Sequence, residues 1–446
     1  MSAQAPDRPT GAPITDLSQL TAEFSQKGST RENWRVGIEH EKLGLLADSL
    51  LPIPFDGPRG IEAILTKLST QFNWSPIYEK DRLVSLTRGA ANITLEPGGQ
   101  LELSGAPLAT LHQSYQEIKN HLDEVFSLSK ELGHLWLPLG LHPLATRAQI
   151  SWMPKGRYSI MGQYMPKRGN RGVDMMLKTA TVQGNFDYDS EEDAAFKLKV
   201  STAISPLVTA LFANSPFEEG KLTGWMSTRM QVWLDTDPDR SGVHPFIFEP
   251  DLSFQRYVEW ALDVPMYLIY REGAPVNMTH LTFRNFWRHG FEGHTALVDD
   301  WKLHLTTLFP EVRLKGGFVE VRGGDMGTLE HQVALGALWK GVLYDNEACR
   351  EAFSLVAELS FSARVALGEE AARKALAGSL NGKPLLPLAR ELVQIAKRGL
   401  ARINEETSYL QFVEEIAERG QSPAEQMAQA FDGDLEKLLR SLAMNQ

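Results

Sequence analysis

Several segments of the chain alternate between hydrophobic and polar residues, which is the pattern of a half-buried β-strand. They cover residues 36–46, 92–104, 179–188 and 318–322, and the second is interrupted by the turn sequence Pro97-Gly98-Gly99. Side chains two residues apart in a strand point to the same face of the sheet. Each predicted strand therefore has one apolar face and one face that carries carboxylate, amide or hydroxyl groups.

Other segments show the spacing of amphipathic helices. Residues 111–132 are predicted to form a helix, with Thr110 and Gln113 as a capping box and Gly133 as the C-terminal cap. After about residue 335 strand signals fade, and Ser422-Pro-Ala-Glu425 marks another helix start. The pattern predicts an α+β protein divided into a disordered lead (1–13), a catalytic body (14–345) and a helical C-terminal part packed on that body (346–446).

Composition narrows the class of protein. The chain has 446 residues, more than one core usually accommodates, and 43% of them are hydrophobic, as in globular proteins. Its 56 acidic residues against 45 basic ones give a net charge of -11, which disfavours nucleic acid as a partner. The single cysteine, Cys349, excludes an intrachain disulfide and a cysteine-rich zinc site. We expect a soluble protein without a membrane span, monomeric or weakly dimeric.

The polar faces of the predicted strands carry pairs of metal-ligating residue types. These pairs are Glu39 with Glu41, Gln100 with Glu102, Gln183 with its neighbours Thr181 and Asn185, and Glu320 with Arg322. Alternation of this kind also occurs in sheets whose polar face meets water. However, glutamate is uncommon in strands, and the glycine-rich turns beside these strands would let a ligand approach the backbone. Inward-facing carboxylates need cations between them, so we predict Mg²⁺ at Glu39, Glu41, Glu102, Gln183 and Glu320, holding a polyphosphate for phosphoryl transfer.

Basic residues concentrate in one segment of this acidic chain. Residues 153–171 contain Lys155, Arg157, Lys167, Arg168 and Arg171, which suit phosphate contact, although a solvated basic loop would have the same composition. A separate arginine, Arg229, suits capture of an amino-acid carboxylate, whereas Arg240 is expected to be structural and His40 to lie in the core. The chain contains neither a Walker A loop nor a Rossmann glycine fingerprint.

Several motifs occur in the order known from one family. They are Gly-Ile-Glu-His-Glu-Lys-Leu-Gly (37–44), Leu-Glu-Pro-Gly-Gly-Gln-Leu-Glu-Leu-Ser-Gly-Ala-Pro (95–107), Met-Pro-Lys-Gly-Arg-Tyr (153–158), Tyr-Met-Pro-Lys (164–167), Leu-Phe-Ala-Asn-Ser-Pro-Phe (211–217), Asp-Val-Pro-Met-Tyr (263–267), Leu-Thr-Thr-Leu-Phe-Pro-Glu-Val-Arg-Leu-Lys (305–315) and Ser-Pro-Ala-Glu (422–425). The chain in this respect resembles glutamate–cysteine ligases of the plant and proteobacterial type. The resemblance implies a glutamine-synthetase-like fold, in which a curved antiparallel sheet forms a funnel with flanking helices.

The resemblance also implies roles for individual residues. The implied metal ligands are Glu39, Glu41, Glu96, Glu102, Gln183 and Glu320, and the implied catalytic residues are Glu320 and Arg322. Arg229, Met161, Tyr164, Tyr267 and Tyr270 are implied around the amino-acid substrates. Lys155, Arg157, Tyr158 and Arg322 are implied around ATP. Trp339 lies in a further matching segment and is equally compatible with the core.

The implied activity is the ATP- and Mg²⁺-dependent ligation of the glutamate γ-carboxylate to the cysteine amine through γ-glutamyl phosphate, the first step of glutathione synthesis. An alternative is a related carboxylate–amine ligase with a different amine acceptor. Plant members of the family have regulatory disulfides, which a chain with Cys349 alone cannot form within itself. Together with the absence of a long transit segment, this predicts a bacterial enzyme in the cytoplasm.

Overall fold

The computed structural model describes residues 11–445. Within that range more residues lie in helices than in strands. The helices are α1 (Leu17–Ser25), α2 (Ile61–Phe72), α3 (Leu111–Leu132), α4 (Gly156–Tyr164), α5 (Gly172–Lys178), α6 (Glu191–Phe212), α7 (Thr228–Leu234), α8 (Phe254–Asp263), α9 (Phe283–His289), α10 (Val298–Thr306), α11 (Leu329–Leu343), α12 (Asn346–Ser354), α13 (Phe361–Lys374), α14 (Leu385–Arg402), α15 (Gln411–Arg419), α16 (Pro423–Ala430) and α17 (Leu435–Leu442). Short 3₁₀ turns connect several of them.

The strands range from long members of one sheet to two-residue pairings. They are β1 (Val36–Leu46), β2 (Ser75–Glu79), β3 (Arg82–Arg88), β4 (Ala91–Leu95), β5 (Leu101–Ser104), β6 (His134–Leu137), β7 (Thr181–Asp187), β8 (Phe217–Glu218), β9 (Lys221–Leu222), β10 (Ser241–Gly242), β11 (Leu268–Arg271), β12 (Ala274–Asn277), β13 (Phe309–Pro310), β14 (Val312–Lys315), β15 (Phe318–Asp325), β16 (Ser379–Leu380) and β17 (Lys383–Pro384).

One large antiparallel sheet organises the protein. Its strand order is β14-β15-β7-β1-β5-β4-β3-β2, and β6 pairs with the C-terminal half of β1. The sheet does not close, since β14 and β2 stand at its two ends. One face is apolar, with buried residues such as Ile38, Val182 and Val319, and helices α3, α6 and α11 pack against it. The predicted α+β fold with a large antiparallel sheet and flanking helices is confirmed.

The predicted local elements agree with the structure. Helix α3 covers the predicted residues, with the Thr110–Gln113 capping box and Gly133 in the left-handed conformation at its end. The four predicted strand segments correspond to β1, the β4–β5 pair, β7 and β15, and the Ser422 capping box begins α16. Local hydrogen bonding and side-chain alternation determine these features, which is why sequence alone could predict them.

The C-terminal helices share a hydrophobic core with the sheet. A single cluster of buried side chains contains residues of the strands, such as Val36, and of the late helices, such as Leu392. The boundary between a body and a C-terminal part at residues 345 and 346 therefore stays a prediction. Of the predicted disordered lead, residues 1–10 lie outside the described residues, whereas Pro13 bridges to Leu297.

Within residues 11–445, helix α6 alone has the length and composition of a membrane span. Most of its apolar window, 83%, is buried inside the protein. A core helix of a soluble protein passes the same length and composition test. Pro206 lies inside this helix and is itself buried.

Candidate active site

The register of the central strands brings the predicted polar residues onto one face of the sheet. In the β1–β5 pair Glu41 lies opposite Glu102. Glu39 lies between Ser104 of β5 and Gln183 of β7. Because neighbouring side chains on one face of a sheet are about 5 Å apart, these carboxylates are forced into proximity. The face is not open to water: Glu39, Glu41 and Glu102 are only 7%, 8% and 8% exposed.

A partly open cavity of about 150 Å³ lies over this polar face. Ten of the fifteen residues to which the resemblance assigns a role line it: Glu39, Glu41, Glu96, Glu102, Arg157, Tyr158, Met161, Gln183, Arg229 and Arg322. The remaining lining mixes polar residues with an apolar side formed by Met175, Met176, Trp233, Leu268, Leu303 and Phe309. The cavity thus combines a wall of carboxylates, a wall of arginines and an apolar side.

The carboxylates of this cavity repel one another. Burial and the neighbouring Glu96 and Glu102 raise the pKa of Glu41 well above its usual range. Burial, Glu96 and Glu39 raise the pKa of Glu102 to about 7. Hydrogen bonds restrain the side chains, since Asn185 Nδ2 donates to Glu39 Oε1 at 2.6 Å and the Thr181 N–H donates to Glu41 Oε2 at 3.1 Å. A bound cation would remove this electrostatic penalty.

The carboxylate and amide groups of the cavity have the charge and the oxygen atoms that suit a hard cation such as Mg²⁺. They are not, however, arranged around a single metal position. In the described part of the chain, no three His, Cys, Asp or Glu side chains are placed to hold a metal ion together. Their hydrogen bonds to protein groups account for this: Glu102, for example, accepts from the Thr94 and Ser104 hydroxyls. Rotation of the glutamate side chains would be required for two or three of them to share one ion.

Arg229, on α7, presents unused hydrogen-bond donors in this site. The side chain is 2% exposed, and its Nη2 donates to the Arg322 carbonyl at 2.7 Å. Its Nε and Nη1 have no hydrogen-bond partner. The Arg322 carbonyl is accessible because a bulge between Val321 and Gly324 interrupts the β15–β7 ladder. A buried guanidinium with free donors is suited to bind an anion, as predicted for an amino-acid carboxylate.

Glu320 does not line the cavity. Its carboxylate is fully buried and accepts a bidentate pair from Arg313 at 2.7 and 2.9 Å, together with Lys315 and Arg322 at 2.7 Å each. Although burial raises it, these three cations hold the pKa of Glu320 well below its usual range. The structure therefore places Glu320 beneath the cavity as the shared counter-ion of three basic side chains.

Four further predicted residues also lie off the cavity wall. Lys155 Nζ donates to the Leu95 carbonyl at 2.8 Å, and this lysine lines a neighbouring groove. The rings of Tyr164 and Tyr267 meet edge to face at 5.3 Å, and the Arg240 guanidinium stacks over Tyr267 at 3.9 Å. Tyr270 is half-buried on β11. The predicted structural role of Arg240 is supported by its complete burial and its ion pair with Asp237 at 2.7 Å.

The basic segment 153–171 is divided between the site and the surface. Arg157 reaches the cavity, whereas Arg168 pairs with Asp239, and Arg171 pairs with Asp174 and Glu218. In the glycine-rich turns, the space beside the glycines is occupied by other protein atoms and not left for a ligand. A Cβ at Gly98 would overlap the Leu177 carbonyl, and one at Gly323 would overlap the Glu311 carboxylate.

Sequence reasoning missed basic and acidic residues that belong to this site. Arg313 and Lys315 line the cavity, and Glu311 lies behind Arg229. For the two basic residues a signal existed, because they stand two residues apart in a short strand, as Glu320 and Arg322 do. His40 and Trp339 were expected to be compatible with the core, and both are buried.

The fold has a counterpart among solved structures. The chain is similar to the glutamate–cysteine ligase of Francisella tularensis solved in complex with AMP, with a TM-score of 0.55 over 94% of this chain and 88% of that chain. The two sequences are only 13% identical. This similarity concerns the fold alone.

Plant proteins are similar to this chain in sequence. A chloroplastic glutamate–cysteine ligase of Brassica juncea is 41% identical over 95% of this chain and 82% of the relative. Glutamate–cysteine ligase B of Oryza sativa subsp. japonica, also chloroplastic, is 42% identical over 90% of this chain and 81% of the relative. The prediction of a cytoplasmic enzyme is therefore wrong on this comparison, since these relatives are plastid proteins.

Family membership follows from a match that covers most of the chain. The model of glutamate-cysteine ligase family 2 matches residues 35–441, which include the sheet, the cavity and the C-terminal helices. The resemblance seen in the ordered motifs is thereby confirmed. The chain belongs to glutamate-cysteine ligase family 2.

Proposed function

We propose that this protein joins the γ-carboxylate of L-glutamate to the α-amine of L-cysteine with cleavage of ATP to ADP and phosphate. The observation that carries the proposal is the cavity in which buried carboxylates face buried arginines with free donors. Family membership and the names of the plant relatives support the same activity. ATP supplies the anion that such a cavity is suited to bind.

Arg229 binds a carboxylate of glutamate in this proposal. Its Nε and Nη1 lie on opposite edges of the guanidinium and lack protein partners, so one edge can donate to a substrate carboxylate. The Arg322 carbonyl fixes the remaining nitrogen and so sets the plane of the guanidinium. The bound glutamate is thus held with its γ-carboxylate free to accept a phosphoryl group.

Basic residues on the opposite wall neutralise the phosphates. Arg157, Arg313, Lys315 and Arg322 all line the cavity and can contact oxygens that gain charge during phosphoryl transfer. Magnesium, held by Glu39, Glu41, Glu96, Glu102 and Gln183, would screen the negative charge of the phosphates. Glu320 keeps Arg313, Lys315 and Arg322 in place, and we do not assign it to the metal.

The reaction has two chemical steps. An oxygen of the glutamate γ-carboxylate attacks the terminal phosphorus of ATP, ADP leaves, and γ-glutamyl phosphate forms. The cysteine amine then attacks the acyl carbon, phosphate leaves with the C–O bonding pair, and the amine nitrogen releases a proton. Buried cationic side chains stabilise the oxygens that carry charge in both transition states.

The apolar side of the cavity favours a small acceptor. Met161, Met175 and Met176 form a polarisable, adaptable wall beside the charged groups. This wall suits the short side chain of cysteine or 2-aminobutyrate better than a charged acceptor. The expectation of a monomer or weak homodimer stays a prediction.

The proposal is tested by ADP release with Mg²⁺-ATP, glutamate and a panel of amines, with the product identified by mass spectrometry. We expect release that depends on both glutamate and cysteine, and a product with the mass of γ-glutamylcysteine. Efficient turnover with another amine but not with cysteine would favour the related ligase with a different acceptor. No ADP release with any acceptor would contradict the proposal.

Replacing Glu102 by glutamine should weaken magnesium binding. The substitution removes one buried negative charge from the carboxylate wall, so we expect the half-saturating Mg²⁺ concentration to rise about tenfold, which corresponds to ~1.4 kcal/mol. ADP release is measured against Mg²⁺ concentration at saturating substrates. The control is Glu358→Gln, at an exposed residue outside the cavity. An unchanged Mg²⁺ dependence would show that this carboxylate does not contribute to the metal site.

A further inference from the structure

Glu311 is a buried carboxylate that the proposed chemistry does not use. It lies between β13 and β14, where its N–H donates to the Gly242 carbonyl at 2.9 Å. The side chain is 8% exposed, and its Oε1 has no hydrogen-bond partner. Leaving a buried charged oxygen without a partner is costly, so this position calls for an explanation.

The unpaired oxygen belongs to a small void behind the active site, whose lining is partly polar and partly apolar. The void has a volume of about 20 Å³ and is lined in part by Glu311, Arg229, Trp233 and Arg322. Trp233 Nε1 and Arg229 Nε and Nη1 are, like Glu311 Oε1, buried without partners. This volume is sufficient for one water molecule, and the site offers several donors and acceptors to bind it.

Electrostatics and packing both favour a Glu311 carboxylate that faces Arg229 and Arg322. Burial raises the pKa of Glu311, and the charges of Arg229 and Arg322 oppose that rise. Burial lowers the pKa of Arg229, and Glu311 is one of three carboxylates that oppose this change. Close packing restricts the Glu311 carboxylate, because only a glycine at position 323 leaves room for it.

Arg229 depends on Glu311 more than Arg322 does. The Arg322 guanidinium is already held by Gln183 at 2.9 Å and by Glu320 at 2.7 Å. Among the residues that the structure describes, the Arg229 guanidinium donates only to the Arg322 carbonyl. Asp325, 4.0 Å from Arg229 Nη1, accepts instead from the Asn214 N–H and from the Ser215 and Ser227 hydroxyls.

We propose that Glu311 is a positioning residue for Arg229, which it orients toward the glutamate carboxylate across a void that holds one bridging water. The inference rests on the proposed function in one respect, the assignment of Arg229 to glutamate. Glu311 itself contacts no substrate. Its carboxylate balances the charge of the Arg229 guanidinium and restricts the orientation of that guanidinium while the cavity is empty. Glutamate binding therefore costs less conformational entropy.

The first test is Glu311→Gln, which removes the charge and preserves the size of the side chain. We expect the KM for glutamate to rise about tenfold, while the KM for ATP and kcat change less than threefold. Glutamate binding measured by calorimetry should weaken to the same extent, and Glu358→Gln should match the wild type. An unchanged KM and affinity for glutamate would overturn the proposal. Where E311Q does not fold, E311D retracts the carboxylate, and an unchanged glutamate KM in that variant overturns it equally.

A double-mutant cycle with Arg229→Lys separates positioning from a general structural effect. If Glu311 acts through Arg229, E311Q should change kcat/KM for glutamate by less than twofold in the R229K background, against about tenfold alone. The same tenfold loss in both backgrounds would overturn the proposal. Failure of the wild type to ligate glutamate would instead contradict the proposed function, and the calorimetric effect of E311Q on glutamate binding would remain as a separate readout.

Discussion

Replacing Arg229 by alanine is expected to reduce kcat/KM for glutamate at least about 100-fold, or ~2.7 kcal/mol. The substitution removes a guanidinium of the cavity that has two fully buried donors without protein partners. A glutamate carboxylate entering the cavity would then be desolvated beside Glu41 and Glu102 without the guanidinium that is proposed to bind it. Truncating one partner of a buried charge pair typically costs 2–5 kcal/mol or more, which sets the expected scale.

The Arg229→Ala effect is measured by ADP release across glutamate concentrations, with cysteine and Mg²⁺-ATP saturating. The matched control is Arg288→Ala, at an exposed arginine at the end of α9, which should retain wild-type kinetics. Thermal unfolding of both variants shows whether either loses its fold. Near-normal kcat/KM for glutamate in folded R229A protein would exclude Arg229 as the carboxylate-binding residue.

Replacing Glu320 by alanine is expected to destabilise the protein by about 3–5 kcal/mol, besides abolishing turnover. The Glu320 carboxylate is the shared partner of Arg313, Lys315 and Arg322, and it is completely buried. Its removal leaves three cations together without their counter-ion, in a site where water cannot solvate them fully.

Urea unfolding gives the change in the free energy of unfolding for Glu320→Ala. Glu131→Ala is the comparison, since Glu131 forms an exposed ion pair with Lys67 and should cost less than about 1 kcal/mol. Glu320→Gln keeps the size of the side chain and isolates the effect of charge. A wild-type unfolding midpoint in E320A would mean that the three basic side chains do not depend on Glu320.

The large effects expected for Arg229→Ala and Glu320→Ala both arise in the central part of the sheet. There the strand register places carboxylates and basic side chains on different walls of the cavity. Carboxylates of β1 and β5 form one wall of the cavity, and basic residues of β14 and β15 form another. The bulge in β15 then frees the Arg322 carbonyl to hold Arg229. A rigid sheet can keep such an arrangement preorganised, which is what electrostatic catalysis requires.

Much of the candidate site was predictable because its residues follow strand periodicity. Glu39, Glu41, Glu102 and Gln183 were assigned to polar strand faces, and all four line the cavity. Alternation determines which face a side chain occupies from the neighbouring residues alone. The same local rules determined the caps of α3.

The structure places some predicted site residues off the cavity wall, and these are residues whose surroundings depend on partners distant in sequence. Glu320 follows the same alternation as the cavity carboxylates, but pairing with β14 gives it Arg313 and Lys315 as partners. Tyr164 and Tyr267, about a hundred residues apart in the chain, pack on each other instead of lining the cavity.

By itself, the sequence determined the strands and their polar faces, the capped helices, and the ordered motifs that identify the family. Only the tertiary structure decided which carboxylates face a cavity, which are neutralised beneath it, and that Glu311 lies behind Arg229. The physical reason is the range of the forces involved. Backbone hydrogen bonding and side-chain alternation act within a few residues, whereas burial and ion pairing depend on strands and helices that the chain brings together over long sequence separations.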